Sequence, residues 1–247
     1  MRIWNIEERD VHRGPLILVN AAHPLREGAV GRMVALEIAG EGVQLDSRAA
    51  ALLGELLTEL RAGDRIVPVS GYRSRAEQVQ IYEESLRDNG EAFTRQYVAL
   101  PDCSEHQTGL AIDLGERRES IDFIRPDFPE DGICGAFRRR AARYGFILRY
   151  AEDKQSVTGI AHEPWHFRYV GAPHAEIMER ERLCLEEYVD YLRAFPYGER
   201  ALRLEERGVE IGFVPGPARI ALPDDAMAQV SGDNVDGCVV TLWRNRR

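Results

Sequence analysis

A carboxylate inside a strand-like apolar run constrains the fold of this chain more than any other feature of its sequence. Between Leu110 and Leu114, aliphatic residues at positions 110, 112 and 114 alternate with Ala111 and Asp113. Because side chains alternate across a β-strand, Asp113 projects from the face opposite the aliphatic residues. An unpaired carboxylate is unfavourable to bury there, and a bound cation is one way to satisfy it. We therefore expect the fold to bring polar or cationic groups to this strand.

Residue types that bind zinc occur beside this strand and in one distant segment. His106 lies in Ser104–Asp113 (SEHQTGLAID), and His166 starts a second alternating run at the end of the sequence EPWH. Two histidines and an aspartate are ligand types that zinc accepts, and three protein ligands leave one tetrahedral position open, as in catalytic sites. Glu163, the first residue of EPWH, is a candidate general base. Taken singly, such residues are more often structural, and that alternative stays open at this point.

Periodicity predicts interspersed helices and strands. Asp46 is the expected N-cap of one helix ending at Gly63, and Ser74 with Glu77 forms a capping box for another that stops before Gly90. Further helices are predicted over 135–144, 173–194 and 199–207, and strands over 65–69, 109–114, 146–150, 165–170, 209–214, 218–222 and 238–243. Short strands with irregular connections favour an α+β fold, with a small mixed or antiparallel sheet flanked by helices.

Composition bears on nucleic-acid binding and on the cellular compartment of the protein. The formal charge is −9 over 247 residues, whereas nucleic-acid-binding domains usually carry basic patches, so no nucleic-acid partner is expected. No apolar run is long enough to span a bilayer, and the first 14 residues lack the apolar region of a signal peptide. The four cysteines are far apart and are expected to be free thiols. Together these features predict a cytoplasmic protein without a transmembrane segment.

The two motifs together resemble the signature of the D-Ala-D-Ala metallopeptidases. The run S-x-H-x-x-G-x-A-x-D followed by E-x-W-H is similar to that of VanX dipeptidases, VanY carboxypeptidases and bifunctional VanXY enzymes. The similarity to VanXY extends over Ser70–Ser74, Glu77–Gln78, Val98–Pro101, Cys103–His106, Tyr144–Tyr150 and Glu163–Gly171. It spans roughly residues 15 to 195, and the segment after Pro196 lies outside it.

This resemblance implies a role for each matching residue. His106, Asp113 and His166 would bind Zn²⁺, with the site completed by a water molecule. Glu163 would act as the general base and later return a proton to the leaving amine. The residues alone leave a metal site open. The resemblance implies one catalytic zinc site.

It also implies a substrate pocket. Arg73 matches the arginine that faces the scissile carbonyl and stabilises the oxyanion, whereas a turn arginine paired with a surface acid is the structural alternative. Ser104 and Gln78 match positions that line the pocket, where a hydroxyl and an amide can hold the terminal carboxylate. A turn-capping role for Ser104 and an exposed helix position for Gln78 stay open.

The leading function implied is zinc-dependent removal of D-alanine from D-Ala-D-Ala dipeptide, from peptidoglycan pentapeptide precursors, or from both. Such activity would be linked to glycopeptide resistance or cell-wall turnover. A strict carboxypeptidase, an endolysin-type L,D-endopeptidase and a non-catalytic zinc-containing muropeptide-binding module are the alternatives. The last is disfavoured because it would be expected to lack the base, and Glu163 is present.

The predicted domain boundary falls at the Pro- and Gly-containing stretch that follows residue 195. Residues 1–195 are expected to form the zinc D,D-peptidase domain, and residues 196–247 a small C-terminal α+β extension of unknown role. The extension contains no histidine and one cysteine, Cys238, so no second zinc site is expected in it.

Overall fold

The computed structural model describes residues 1–26, 28–36 and 42–244. Its helices and strands are, in chain order, β1 (Arg2–Ile6), α1 (Glu8–Val11), β2 (Met33–Ala35), β3 (Gln44–Asp46), α2 (Ser47–Glu59), β4 (Ile66–Ser70), α3 (Arg75–Tyr97), β5 (Ala111–Glu116), α4 (Gly132–Ala141), β6 (Phe146–Leu148), α5 (Gln155–Thr158), β7 (His166–Tyr169), α6 (His174–Glu181), α7 (Leu185–Leu192), β8 (Leu202–Leu204), β9 (Val209–Pro215), β10 (Ala218–Leu222), β11 (Ala226–Gly232) and β12 (Gly237–Arg244).

Backbone contacts divide the chain into two compact units. The central unit is Val19–Cys184, and the terminal unit combines Met1–Leu18 with Leu185–Arg247. This division differs from the predicted boundary after residue 195, since it also separates the first 18 residues from the central unit. Strand β1 pairs antiparallel with β10 over its whole length. The N-terminal residues therefore group with the C-terminal ones. The predicted functional division into a peptidase domain, residues 1–195, and an accessory segment, residues 196–247, stays a prediction.

The central unit contains an antiparallel sheet with strand order β4-β5-β7-β6, and the strands β2 and β3 form a separate antiparallel pair. Ile112 and Leu114 on β5 are fully buried, as the alternating pattern predicted. Helix α4 contributes Phe137, which packs edge-to-face against Phe167 of β7 with ring centroids 4.9 Å apart. The predicted α+β class with a small antiparallel sheet and flanking helices is confirmed.

The two helix starts predicted from capping residues are confirmed. The Asp46 side chain accepts hydrogen bonds from the backbone N–H groups of Arg48 and Ala49, and Ser74 and Glu77 form the reciprocal capping box. The predicted stop before Gly90 is a kink instead. Gly90 adopts a φ of 80°, after which the helical backbone resumes and continues to the end of α3.

Two other helix predictions are wrong. The expected helix over 173–194 is interrupted after α6, where Arg182 takes a left-handed φ of 56° and donates its N–H to the carbonyls of Met178 and Glu179. Residues 199–207 contain β8 and a 3₁₀ turn, Glu205–Arg207, because residues 202–204 pair with β9 instead of forming a helix.

The terminal unit is mainly β-structure. Strand order β11-β12-β9-β8 forms an antiparallel sheet, and β1 with β10 forms a second pair. Ile6 and Val11 from the N-terminus share a core with Leu222, Cys238 and Val240. Among the described residues, no helix combines the length and apolar character that a membrane span requires.

Candidate active site

Two of the predicted ligands face each other across neighbouring strands. In the antiparallel pairing of β5 with β7, Asp113 lies directly opposite His166. Oδ1 of Asp113 is 2.9 Å from Nδ1 of His166, and both side chains are buried. Residues in such register have Cβ atoms about 5 Å apart, so this contact follows from strand pairing alone. The strand register thus brings together two of the three predicted ligands.

The third predicted ligand comes from the 3₁₀ turn that precedes β5. His106 lies in this turn (Glu105–Thr108), and its Nδ1 is 2.7 Å from the carbonyl oxygen of Gly71. A carbonyl only accepts hydrogen bonds, so Nδ1 carries the proton. The unprotonated Nε2 then points at Asp113, whose Oδ2 is 3.1 Å away. The backbone between β4 and α3 therefore fixes both the orientation and the tautomer of His106.

This arrangement fits a metal ion. His106, Asp113 and His166 each offer one ligand atom, and these atoms lie within 4.8 Å of one another. Ligands at about 2.0–2.1 Å from a tetrahedral zinc are separated by roughly 3.4 Å, so small side-chain adjustments suffice. The described residues contain this one group of three metal-ligand side chains. Burial would raise the pKa of Asp113, but His106 and His166 hold it well below its usual range, which keeps the carboxylate ionised.

Glu163 lies beside the ligand cluster without belonging to it. Its Oε2 is 3.6 Å from Nδ1 of His166, and its side chain is 8% exposed. Burial raises the pKa of Glu163 to about 8, an effect that His166 and Arg73 oppose. Catalytic bases commonly have a pKa close to neutrality because of burial of this kind. The position and the environment of Glu163 are those expected of a general base.

Arg73 reaches the same space from the segment between β4 and α3. NH1 donates to Oε1 of Gln78 at 3.0 Å, and NH2 donates to Oγ of Ser70 at 2.9 Å. NH2 also lies 3.9 Å from Oδ2 of Asp113. The guanidinium is thus held next to the ligand cluster, with 14% of the side chain exposed. The alternative of a turn arginine paired with a surface acid does not describe this environment.

The two predicted substrate-binding residues differ in their surroundings. Ser104 is buried, lines the cavity that contains the ligand cluster, and makes no capping hydrogen bond to the turn that follows it. Gln78 is fully buried in α3, and its amide contacts Arg73 through Oε1 and the carbonyl of Ala99 through Nε2 at 2.7 Å. The geometry of Gln78 therefore favours holding Arg73 in place over contacting a substrate.

Sequence reasoning gave no role to a buried ion cluster behind His166. The carboxylate of Glu105 lies 2.8 Å from Nε of Arg149 and 2.8 Å from NH1 of Arg168, and all three side chains are at most 1% exposed. Burial would raise the pKa of Glu105, but these two arginines hold it below its usual range. The available sequence signal was the position of Arg149 and Arg168 in predicted strands. An arginine buried in a sheet is expected to pair with a carboxylate.

The cavity lining includes residues to which the sequence analysis gave no role, some within the matching segments and some outside them. The cavity is bounded by the ligand cluster, Arg73, Glu163 and further residues, including Tyr97, Phe123, Ile124, Tyr150, Ile160 and Trp165. The ring of Tyr150 lies 4.9 Å from that of His166. Phe123 remains 53% exposed at this cavity. Their positions depend on tertiary packing, which the local sequence does not reveal.

Comparisons with known proteins agree with this geometry. Residues 42–172 match the model of the family described as VanY, D-alanyl-D-alanine carboxypeptidase. A bifunctional D-Ala-D-Ala dipeptidase and D-Ala-D-Ala carboxypeptidase of Enterococcus gallinarum, VanXYC, is 44% identical over 179 residues, which cover 72% of this chain and 94% of that protein.

Solved structures extend the comparison. The D,D-dipeptidase VanXYg, crystallised with a D-Ala-D-Ala phosphinate analogue, is 48% identical with a TM-score of 0.95, and 98% of this chain matches 99% of that one. This match includes residues after 195, which lay outside the resemblance seen in the sequence. A VanY D,D-pentapeptidase mutant in complex with Zn(II) is 32% identical with a TM-score of 0.60, over 71% of this chain and 98% of that one.

Proposed function

The chain belongs to the VanY family of D-alanyl-D-alanine carboxypeptidases, and on this premise we propose that it hydrolyses D-Ala-D-Ala dipeptide and the terminal D-alanine of peptidoglycan pentapeptide precursors. The observation that carries the proposal is one cavity lined by His106, Asp113 and His166 together with Glu163 and Arg73. Similarity over nearly the whole chain to VanXYg, solved with a D-Ala-D-Ala analogue, supports this substrate class.

Zinc is the proposed cofactor, with His106, Asp113 and His166 as its ligands. A histidine–aspartate–histidine donor set with all ligand atoms within 4.8 Å suits this ion, and a VanY relative was solved with Zn(II). When bound, zinc would polarise the scissile carbonyl and acidify the attacking water. The protein contributes the fixed ligand geometry and a buried, low-dielectric surrounding.

Glu163 is the proposed general base and acid. Its carboxylate takes a proton from the attacking water as the water oxygen bonds to the scissile carbonyl carbon. When the C–N bond breaks, Glu163 donates that proton to the leaving amino group of D-alanine, so the carboxylate is restored. Its place beside His166, 3.6 Å away but outside the ligand set, supports a role in proton transfer.

Arg73 is proposed to stabilise the negative charge that develops on the carbonyl oxygen. Its guanidinium is held by Gln78 and Ser70, so little reorganisation is needed when the charge forms. Ser104, whose side chain lines the cavity, is proposed to bind the terminal carboxylate of the substrate. Gln78 would act through Arg73, and its predicted direct contact with the substrate stays a prediction.

The test is an assay of released D-alanine. Zinc-loaded protein is offered D-Ala-D-Ala and UDP-muramyl-pentapeptide separately, and a tetrapeptide with an L,D bond serves as the probe for L,D-peptidase activity. We expect D-alanine from both D,D substrates, loss of release after chelation, and recovery when zinc is restored. Zinc-loaded protein that releases no D-alanine from either D,D substrate would refute the proposal. Cleavage of the L,D bond alone would assign the L,D class instead.

The cytoplasmic location is likewise a proposal. It is supported by the four cysteines, each of which carries a free thiol in the described part of the chain. Cell fractionation followed by detection of the untagged protein tests it, and recovery in the cell-wall or medium fraction would contradict it.

A further inference from the structure

We propose that Glu105 is a positioning residue of the metal site, whose carboxylate accepts a hydrogen bond from Nε2–H of His166 and so directs Nδ1 of that ring toward the metal. The inference rests on the proposed zinc site but goes beyond the residues assigned to it. No ligand set or substrate contact discussed above includes Glu105.

The geometry behind His166 is specific. Glu105 precedes His106 in the 3₁₀ turn, and its Oε2 faces Nε2 of His166 at 3.6 Å. Both of these atoms are buried, and neither has another hydrogen-bond partner among the described residues. On the opposite side of the ring, Nδ1 is 2.9 Å from Oδ1 of Asp113. A small closing movement of the ring would bring Nε2 into hydrogen-bond distance of Glu105.

Hydrogen-bond chemistry then determines the tautomer. An ionised carboxylate only accepts hydrogen bonds, so Nε2 must carry a proton for its contact with Glu105 to be favourable. A neutral imidazole has one N–H group, so protonation at Nε2 leaves the lone pair on Nδ1, the atom beside Asp113. His106 shows the reciprocal arrangement, since its Nδ1 donates to Gly71 and its Nε2 faces Asp113. Each histidine is thus oriented by an acceptor on the side away from the metal.

Two arginines hold the carboxylate in this position. Arg168 lies two residues after His166, so both side chains project from the same face of β7. Arg149 follows β6 and donates its backbone N–H to the carbonyl of His166. Both guanidinium groups contact Oε1 of Glu105 and leave Oε2 directed at the histidine.

The experiment must separate an effect on the metal site from a general loss of stability. Glu105→Gln keeps the side-chain size but removes the anionic acceptor. Phe137→Leu, in the aromatic core of the same unit, serves as a control that lowers stability without touching the metal site. The dissociation constant for Zn²⁺ is measured by chelator competition for both variants and the wild type, at a temperature where all three are folded. We expect a loss of affinity of about 10- to 100-fold for Glu105→Gln and wild-type affinity for the control.

A second measurement uses the wild-type protein and does not depend on the variant folding. ¹⁵N NMR of histidine-labelled, zinc-loaded protein reports which ring nitrogen of His166 carries the proton, and we expect Nε2. A proton on Nδ1, or zinc affinity of Glu105→Gln equal to that of the control, would overturn the proposal. Because neither measurement uses peptide hydrolysis, zinc binding that depends on Glu105 would stand even if no D-alanine were released.

Discussion

Replacing Arg73 by lysine tests whether the guanidinium acts on the transition state or on the bound substrate. The substitution keeps the positive charge but removes the planar fork that places one nitrogen on Gln78 and another on Ser70. A lysine ammonium is a single nitrogen, so it cannot reproduce the two separate guanidinium nitrogens that contact Gln78 and Ser70 and fix the orientation of the group. The variant therefore separates the charge of the side chain from its orientation.

The expected magnitude follows from burial and geometry. The Arg73 side chain is 14% exposed, so its hydrogen bonds form in a low-dielectric environment. Loss of one oxyanion donor costs about 2.7–4 kcal/mol, or about 10²- to 10³-fold in kcat. Because lysine retains the charge, we expect Arg73→Lys near the lower end, about 100-fold in kcat, with little change in KM.

Steady-state kinetics on D-Ala-D-Ala, with zinc content measured for each sample, provides the assay. Arg75→Lys is the matched control, because Arg75 is an exposed arginine paired with Asp102, and it should behave as wild type. Gln78→Met should also lower kcat, because Gln78 helps to orient the Arg73 guanidinium. In the Arg73→Lys variant the same substitution should lower kcat little further, since the oriented guanidinium is already absent. An unchanged kcat with a raised KM would refute oxyanion stabilisation and assign Arg73 to binding of the ground-state carboxylate.

Three further predictions concern the metal, pH and the two units. His166→Ala should bind little zinc, whereas metal analysis of the wild type should give about one zinc per chain; a folded variant with full zinc content would contradict the ligand assignment. Burial lowers the pKa of His174 to about 3. As the pH falls below about 6.5, this histidine therefore takes up a proton in the unfolded chain but not in the folded one, and the free energy of unfolding decreases by up to about 1.4 kcal/mol for each pH unit. His174→Gln should make this decline shallower in urea unfolding between pH 6.5 and 4.5, and an unchanged slope would exclude the histidine as its source. Val19–Cys184 expressed alone should bind zinc and release D-alanine, and a soluble, zinc-loaded but inactive fragment would show that the terminal unit contributes to the site.

The sequence predicts best those features that depend on near neighbours. Alternation placed Asp113 opposite an aliphatic face, and the structure has Ile112 and Leu114 fully buried on that face. Asp46 and Ser74 cap helices as expected, because capping involves residues only two or three positions away. The predicted metal ligands lie together because β5 and β7 pair in a register that sets Asp113 opposite His166.

Features that depend on distant partners could not be predicted in this way. Strand β1 was missed because its partner β10 lies more than 210 residues further along the chain, and this pairing places the N-terminal residues in the terminal unit. The break at Arg182 has no glycine or proline signal, since an arginine adopts the left-handed conformation there. Residues 202–204 have a helix-compatible composition, and their strand conformation comes from pairing with β9.

At the site, the roles of Glu105 and Gln78 also depend on residues that are distant in the sequence. Glu105 lies within the motif that suggested the metal site, but its proposed role depends on Arg149, which follows β6, and on Arg168 of β7, both of which lie far from it in the sequence. Gln78 lies in a helix whose sequence is compatible with a substrate-facing position, whereas its amide contacts Arg73 and the carbonyl of Ala99. Ligand types can therefore be predicted from sequence patterns, while the residues that orient them require the tertiary structure.

The central claim is that Glu163 transfers the proton in zinc-dependent hydrolysis of D-Ala-D-Ala. Its most direct test is the kcat of Glu163→Gln at confirmed full zinc occupancy, because this variant keeps the size of the side chain and removes only the base. We expect kcat to fall at least about 100-fold, the low end for loss of general acid–base catalysis, with the zinc content unchanged. Turnover close to that of the wild type at full zinc occupancy would contradict the claim and move the base to another residue.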